Sequence, residues 1–202
     1  MFQKLDLPES WNIHHVTWPP LAPQENLTTY VLKISSLIDV TQNFALVGLS
    51  FGGIIATELT KILNPKKTII ISSISTRQEL PFNYRLLGAS SAIHLMPTAT
   101  MNKVYPFTYW FFGVTTSDDK AMLKQIILDT SPAFLKWALN EILIWKNEVR
   151  PKNLIHIHGT SDRLFPYRLV KADYTVAGGG HWMVYNQAKH ISKILVEELN
   201  KP

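Results

Sequence analysis

Cysteine is absent from the 202-residue sequence. Disulfides, a thiol nucleophile and zinc sites built on thiolates are therefore excluded, while the redox compartment is left open. Charged residues are also few, at 17% of the chain, and the formal net charge of +5 is scattered along it. A nucleic-acid site calls for a basic stripe with interleaved aromatic residues, which the sequence lacks, so we expect no nucleic acid as a partner.

Long apolar runs are missing as well. The longest uncharged apolar stretch, residues 86–102, is interrupted by His94 and Pro97 and makes a poor membrane span. The first residues lack the apolar core of a signal peptide. The length suits one domain with a substantial core, and 46% of the residues are hydrophobic. We therefore expect a globular, soluble, cytoplasmic protein, and we expect neither a cofactor nor a bound metal ion.

Short apolar runs alternate with segments of helical spacing. Strands are predicted at residues 12–17, 44–47, 68–72, 154–158 and 173–177. Helices are predicted at residues 1–7, 27–38, 54–63, 131–147 and 184–199. This order implies right-handed crossovers and an α/β fold, with a mostly parallel sheet flanked by helices.

The alternation breaks down between residues 75 and 130, a segment that includes the aromatic run 105–112. We interpret this segment as an inserted helical cap, and an ordinary pair of buried helices is the alternative. The predicted organisation is therefore a core formed by residues 1–74 and 131–202, with a cap formed by residues 75–130.

One stretch follows the pattern of a nucleophile elbow. Gly48-Leu49-Ser50-Phe51-Gly52 lies between a predicted strand and a predicted helix. A serine on such a sharp turn adopts a strained backbone conformation, so its neighbours two residues away must lack a Cβ. The turn presents the Ser50 hydroxyl above the strand ends and directs the Phe51 N–H at any oxyanion formed there.

Two further glycine-rich turns follow later strands and supply a carboxylate and an imidazole. Asp162 comes after the strand 154–158, and His181 follows Gly178-Gly179-Gly180 after the strand 173–177. A serine hydroxyl needs a base within hydrogen-bond reach, and the base needs a carboxylate to orient it. The chain order Ser50, Asp162, His181 is the one expected for an elbow of this kind. As an alternative, Asp162 is only a turn former and His181 only a structural loop residue.

Other acids and histidines are weaker candidates. Asp173 precedes its strand and so belongs to the opposite sheet edge, and Glu79 is a second choice for the acid. His156 and His158 alternate along a strand, a spacing that can ligate metal, but no carboxylate cluster accompanies them. We interpret both as packed strand histidines.

With these motifs the chain resembles the α/β-hydrolase superfamily over nearly its whole length. The matching pieces are the elbow at residues 48–53, the segment from His158 to Asp162 with Pro166 after it, and Gly179-Gly180-His181. The resemblance implies that Ser50 is the nucleophile, Asp162 the acid and His181 the base. It also implies a cap ahead of the helix at 131–147.

The chain departs from this family at its N-terminus. Family members begin with further strands, the third of which ends in a loop that supplies a second oxyanion N–H. Counting back from the elbow, residues 12–17 correspond to the fourth strand, so the first three strands are absent. Two explanations stay open: the chain begins at an internal methionine of a longer protein, or unusual strand pairing closes the gap. Phe51 would then be the sole oxyanion donor.

The predicted function is a serine hydrolase acting on a carboxylic ester or related small acyl compound with an apolar group. Two alternatives stay open, a non-catalytic ligand-binding relative and an acyltransferase that uses the same three residues. A homodimer is also left open.

Overall fold

The computed structural model describes residues 1–201 and holds, within them, a sheet of four parallel strands. Pro202, the last residue of the predicted core, lies outside the described residues. The strands pair in chain order and are β1 (Ala45–Leu49), β2 (Lys67–Ile71), β3 (Leu154–Gly159) and β4 (Tyr174–Val176). Because every pair is parallel, the carboxyl ends of all four strands lie along one edge of the sheet.

Helices connect the strands and flank the sheet. The α-helices are α1 (Leu27–Ser35), α2 (Phe51–Leu63), α3 (Phe82–Ala89), α4 (Pro106–Phe112), α5 (Ser117–Asp129), α6 (Pro132–Ile144), α7 (Met183–Asn186) and α8 (Ala188–Asn200). Short 3₁₀ turns occur at Arg77–Glu79, Ala92–Leu95, Thr98–Thr100 and Tyr167–Leu169.

The sheet is buried on both faces, as its apolar strands require. In β2, Ile69 and Ile71 point to the face that α7 and α8 cover. Ile70 points to the other face, where it lies beside Gly53 of α2. All three isoleucines are fully buried. The side-chain period of two thus divides one continuous apolar run between two layers of helices, which is typical of a parallel strand.

Residues 75–130 fold into α3, α4, α5 and three of the 3₁₀ turns. The helix α3 packs closely against α6, where Gly88 approaches the carbonyl of Leu143. The helices α4 and α5 contribute to a separate apolar cluster that includes Val114, Leu123 and Trp182. This segment is therefore anchored to α6 and to the loop that follows β4.

The predicted strands at 44–47, 68–72, 154–158 and 173–177 form, with ends that differ by at most two residues. The predicted closing helix at 184–199 is divided at Gln187 into α7 and α8.

Two predictions for the N-terminal region are wrong. Residues 12–17 form no strand, and their side chains are exposed. A strand needs a partner for its backbone groups, and β1 pairs only with β2 among the described residues. The unusual pairing considered above is therefore not seen. Residues 1–7 form a turn, with Leu5 N–H donating to Phe2 O at 3.0 Å, because so short a segment before Pro8 cannot repay helix nucleation.

The close approach of two loops at the carboxyl edge predicts unequal effects of two glycine substitutions. A Cβ on Gly159 would lie 2.1 Å from the carbonyl oxygen of Gly179, whereas a Cβ on Gly178 would meet nothing within 4 Å. We expect Gly159→Ala to lower the free energy of unfolding by more than about 3 kcal/mol, because backbone must move. Gly178 has a φ of +68°, so Gly178→Ala should cost about 1–2 kcal/mol through backbone strain alone.

Urea unfolding followed by far-ultraviolet circular dichroism measures both variants against the parent protein. Equal losses for Gly159→Ala and Gly178→Ala would contradict the close approach.

Candidate active site

Ser50 lies at the junction of β1 and α2 in a strained backbone conformation. Its φ of 53° and ψ of −121° are outside the regions that residues with a Cβ favour. The turn is tight enough that a Cβ on Gly48 would lie 2.2 Å from the carbonyl oxygen of Gly52. Ser50 N–H donates to Ile71 O at 3.0 Å, and Ser73 Oγ donates to Ser50 O at 2.7 Å. The predicted elbow is thus formed and is held by groups at the end of β2.

His181 bridges the other two predicted site residues. Its Nε2 lies 2.9 Å from Ser50 Oγ, and its Nδ1 lies 2.9 Å from Asp162 Oδ2. Because an ionised carboxylate only accepts hydrogen bonds, Nδ1–H donates to Asp162 and Nε2 accepts from the Ser50 hydroxyl. The structure therefore brings together the three side chains that the sequence analysis selected.

Asp162 is buried, and its remaining oxygen is bound to the backbone. Oδ1 accepts from Leu164 N–H and Phe165 N–H, both at 2.9 Å. Burial by itself would raise the pKa of Asp162, but the charge and hydrogen bond of His181, with smaller contributions from His158 and Phe165 N–H, lower the pKa below its ordinary value. Asp162 is therefore ionised at neutral pH.

The loops that carry Asp162 and His181 are joined directly to each other. Thr160 N–H donates to Val176 O at 3.0 Å, and Ser161 N–H donates to Gly179 O at 2.8 Å. In the opposite direction, Gly178 N–H donates to Thr160 Oγ1 at 2.8 Å. These bonds fix the spacing of the two loops, which the carboxylate–imidazole contact requires.

Aromatic side chains surround the imidazole. Phe112 of α4 and Phe165 meet the His181 ring edge to face, with centroids 5.2 and 5.7 Å away. Trp182 N–H donates to Phe112 O at 3.1 Å, which binds the end of α4 to the His181 loop. Arg163 donates from Nη1 to Trp110 O at 2.5 Å and also lies over the Trp110 ring. The helix α4 therefore contacts the loops of both Asp162 and His181.

The rival acids have other partners. Asp173, at the amino end of β4, pairs with Arg150 and accepts from His156 N–H at 2.7 Å. Glu79 accepts from Ser75 N–H at 2.5 Å and from Lys171 N–H at 2.9 Å. Both carboxylates therefore join segments of the fold, and neither hydrogen-bonds His181.

His156 and His158 are buried in β3, as expected for packed strand histidines. The sequence analysis missed that His158 also contacts the Asp162 turn, with Nε2 2.7 Å from Phe165 O and 3.7 Å from Asp162 Oδ2. The spacing of four residues between His158 and Asp162 was a possible signal. This spacing indicates a contact between the two side chains only if the chain after β3 turns back beside the end of that strand.

No group of three or more histidine, aspartate and glutamate side chains within residues 1–201 is arranged to hold a metal ion. In the same range, no helix is both long and apolar enough to cross a bilayer.

A cleft of about 830 Å³ lies between α1, α2 and α6, and its lining includes none of Ser50, Asp162 and His181.

Comparison with known proteins identifies the fold. No family model and no curated protein matches the sequence. MenH from S. aureus has a TM-score of 0.64 at 15% identity, over 90% of this chain and 78% of that one. A variant of a meta-cleavage product hydrolase from Pseudomonas fluorescens IP01 has a TM-score of 0.58 at 17% identity, over 96% of this chain and 75% of that one. A lipase-esterase related protein from Clostridium acetobutylicum has a TM-score of 0.58 at 14% identity, over 89% and 77%.

The chain has the α/β-hydrolase fold. It spans about three quarters of the length of these similar structures. Within residues 1–201, β1 pairs only with β2, so Ser50 follows a strand at one side of the four-stranded sheet.

The buried histidines behind the site predict how stability depends on pH. Burial, and then the nearby His158 and Arg150, lower the pKa of His156 from 6.5 to about 3, and they outweigh the raising effects of the Ser73 backbone and of Asp162. Below pH 6.5 the unfolded chain binds a proton that the folded protein does not. This contribution to stability is therefore complete above pH 6.5 and is lost as the pH falls. One such histidine costs about 2 kcal/mol between pH 7 and pH 5.

We expect His156→Leu to flatten the pH dependence of the free energy of unfolding, whatever its effect at pH 7. Urea unfolding at several pH values between 7.5 and 5 measures the slope. His190→Gln, a change at an exposed histidine of α8, is the matched control and should keep the parent slope. An unchanged slope in His156→Leu would show that His156 takes up its proton in the folded state.

Proposed function

We propose that this protein is a serine hydrolase that cleaves a carboxylic ester or a related acyl compound. The observation that carries the proposal is the unbroken hydrogen-bonded line from Ser50 through His181 to Asp162, with 2.9 Å at each link. Nucleophilic acyl transfer by serine requires this combination of hydroxyl, base and orienting carboxylate. The similarity in fold to a hydrolase and to a lipase-esterase related protein supports it.

In the proposed reaction, Ser50 Oγ attacks the acyl carbon while His181 Nε2 takes the hydroxyl proton. Asp162 accepts the His181 Nδ1–H throughout and stabilises the imidazolium that forms. His181 then gives the proton to the departing alkoxide, which leaves an acyl group on Ser50. A water molecule, deprotonated by His181, attacks this acyl group, and the acid leaves as the proton returns to Ser50.

Phe51 N–H is the proposed oxyanion donor. Phe51 begins α2, and the first N–H groups of a helix have no acceptor within the helix. The positive end of the helix dipole adds to this donor. Removing one oxyanion donor typically lowers the rate by about 10²–10³-fold. Because Phe51 N–H is the single donor proposed here, we expect slow turnover. Activated esters with good leaving groups should therefore be the easiest substrates to detect.

We further propose that residues 75–130 act as a cap over Ser50 and that residues 1–74 and 131–202 form the catalytic core. The support is the contact of Phe112 with the His181 ring and of Trp110 with Arg163. Phe107 and Trp110 are exposed on α4. An acyl compound with an apolar group fits a cap lined by such residues.

A ligand-binding protein without turnover is the second candidate. The observation that favours it is the oxyanion site, because a single donor, Phe51 N–H, is proposed there. Ester turnover that depends on Ser50 separates the two candidates.

Labelling by a fluorophosphonate probe tests Ser50 as the nucleophile. We expect the folded protein to be labelled on the peptide that contains Ser50, because His181 activates this hydroxyl. The Ser50→Ala variant should lose both the label and the turnover of p-nitrophenyl esters. Ser36→Ala, which removes an exposed hydroxyl bonded to Lys33 O at the end of α1, is the control and should keep both.

Equal ester turnover in the parent protein and Ser50→Ala would overturn the hydrolase proposal in favour of the binding protein. A label on another serine would overturn the assignment of Ser50.

The role of Asp162 is tested by Asp162→Asn. An amide in this place can present an N–H to His181 Nδ1, which favours the tautomer that cannot accept the Ser50 proton. We expect kcat to fall by about 10⁴-fold. Steady-state kinetics with a p-nitrophenyl ester measure the change, and Asp173→Asn, at the opposite sheet edge, is the matched control with kcat retained. A similar loss in both variants would mean that general destabilisation, and not the tautomer, is responsible.

A further inference from the structure

Two buried histidines form a second hydrogen-bonded line behind Asp162. His156 Nε2 lies 3.1 Å from His158 Nδ1, and His158 Nε2 lies 2.7 Å from Phe165 O. Both rings are fully buried in β3. The proposed reaction uses neither ring, so their arrangement calls for a separate explanation.

The proton positions along this line follow from the acceptor at its end. A backbone carbonyl only accepts hydrogen bonds, so His158 carries its proton on Nε2. Burial lowers the pKa of both histidines, so each ring is neutral and has one proton. The bare Nδ1 of His158 then accepts from His156 Nε2–H. His156 Nδ1 is left bare by this order, and no group within the described chain meets it with hydrogen-bond geometry, although the Ser73 backbone lies near the ring.

The line ends on the residue that holds the carboxylate in place. Phe165 accepts from His158 through its C=O and donates its N–H to Asp162 Oδ1 at 2.9 Å. Asp162 Oδ2 in turn faces His181, and the same His158 Nε2 atom lies 3.7 Å from that oxygen. The neutral imidazole of His158 thus holds the Phe165 peptide through its carbonyl and places an N–H, whose hydrogen has a partial positive charge, beside the carboxylate.

We propose that His158 is a positioning residue that holds the Asp162 turn in register with His181, and that His156 supports the Nε2–H tautomer of His158 by donating to its bare Nδ1. The proposal rests on the proposed function of Ser50, His181 and Asp162. His158 contacts no reacting atom and acts through the orientation of Asp162.

Two amide variants separate this role from simple filling of space. The amide nitrogen of glutamine lies as many bonds from Cα as histidine Nε2, whereas that of asparagine matches Nδ1. We expect His158→Gln to keep the bond to Phe165 O and to retain kcat within about threefold of the parent value. His158→Asn should lower kcat by about 10–100-fold with little change in KM, because a misplaced carboxylate affects the chemical step.

Nitrogen NMR of protein labelled at histidine gives a readout that does not need activity. In the parent protein we expect His156 and His158 both to be neutral and protonated on Nε2. The His181 Nδ1 proton should be protected from exchange with solvent in the parent protein and His158→Gln, and should lose protection in His158→Asn.

Equal kcat in the Gln and Asn variants, or a proton on His158 Nδ1 in the parent protein, would overturn the proposal. The tautomer measurement needs only the parent protein, so it decides the matter even where His158→Asn does not fold. If the parent protein shows no turnover that depends on Ser50, the proposed function fails, and the exchange of the His181 proton alone judges the positioning role.

Discussion

Parallel pairing of four strands is the constraint on which the rest of the structure depends. It places the turns after β1, β3 and β4 along one edge, although the residues they carry are separated by up to 131 positions in the chain. Ligand sites of open α/β sheets lie at this edge for the same reason. The hydrogen bonds of Ser50 N–H to Ile71 O and of Ser161 N–H to Gly179 O then convert a common edge into fixed distances.

A layered arrangement of polar groups follows from this pairing. Ser50 is partly exposed, His181 and Asp162 are buried, and His158 and His156 lie deeper in β3. Each of these side chains is hydrogen-bonded to the next or to the backbone between them, which matters because an unpaired buried polar group costs more than a paired one contributes. The layers therefore support each other: the ionised carboxylate stays buried because backbone N–H groups and two imidazoles surround it.

Local signals predicted the parts of the fold that do not depend on distant partners. The apolar runs of β2 and β3 and the glycines around Ser50 were sufficient for the elbow and for the order of elements. Residues 12–17 have a strand-like sequence, but a strand needs a neighbour, and that requirement cannot be read from the segment itself. The contact of His158 with Phe165 was missed for a similar reason, since it depends on how the Asp162 turn folds back.

The two outer positions of the sheet have a consequence for how the native state comes apart. Ser50 follows β1 and His181 follows the three-residue β4, and both strands have a neighbour on one side only within the described chain. Outer strands open more readily than the centre of a domain. We therefore expect gentle warming or dilute denaturant to separate the Ser50 hydroxyl from the His181 imidazole before the isoleucine-rich centre of the sheet unfolds. The contact between Ser50 and His181 at the carboxyl edge of the sheet is therefore a more sensitive measure of the native state than the helix content.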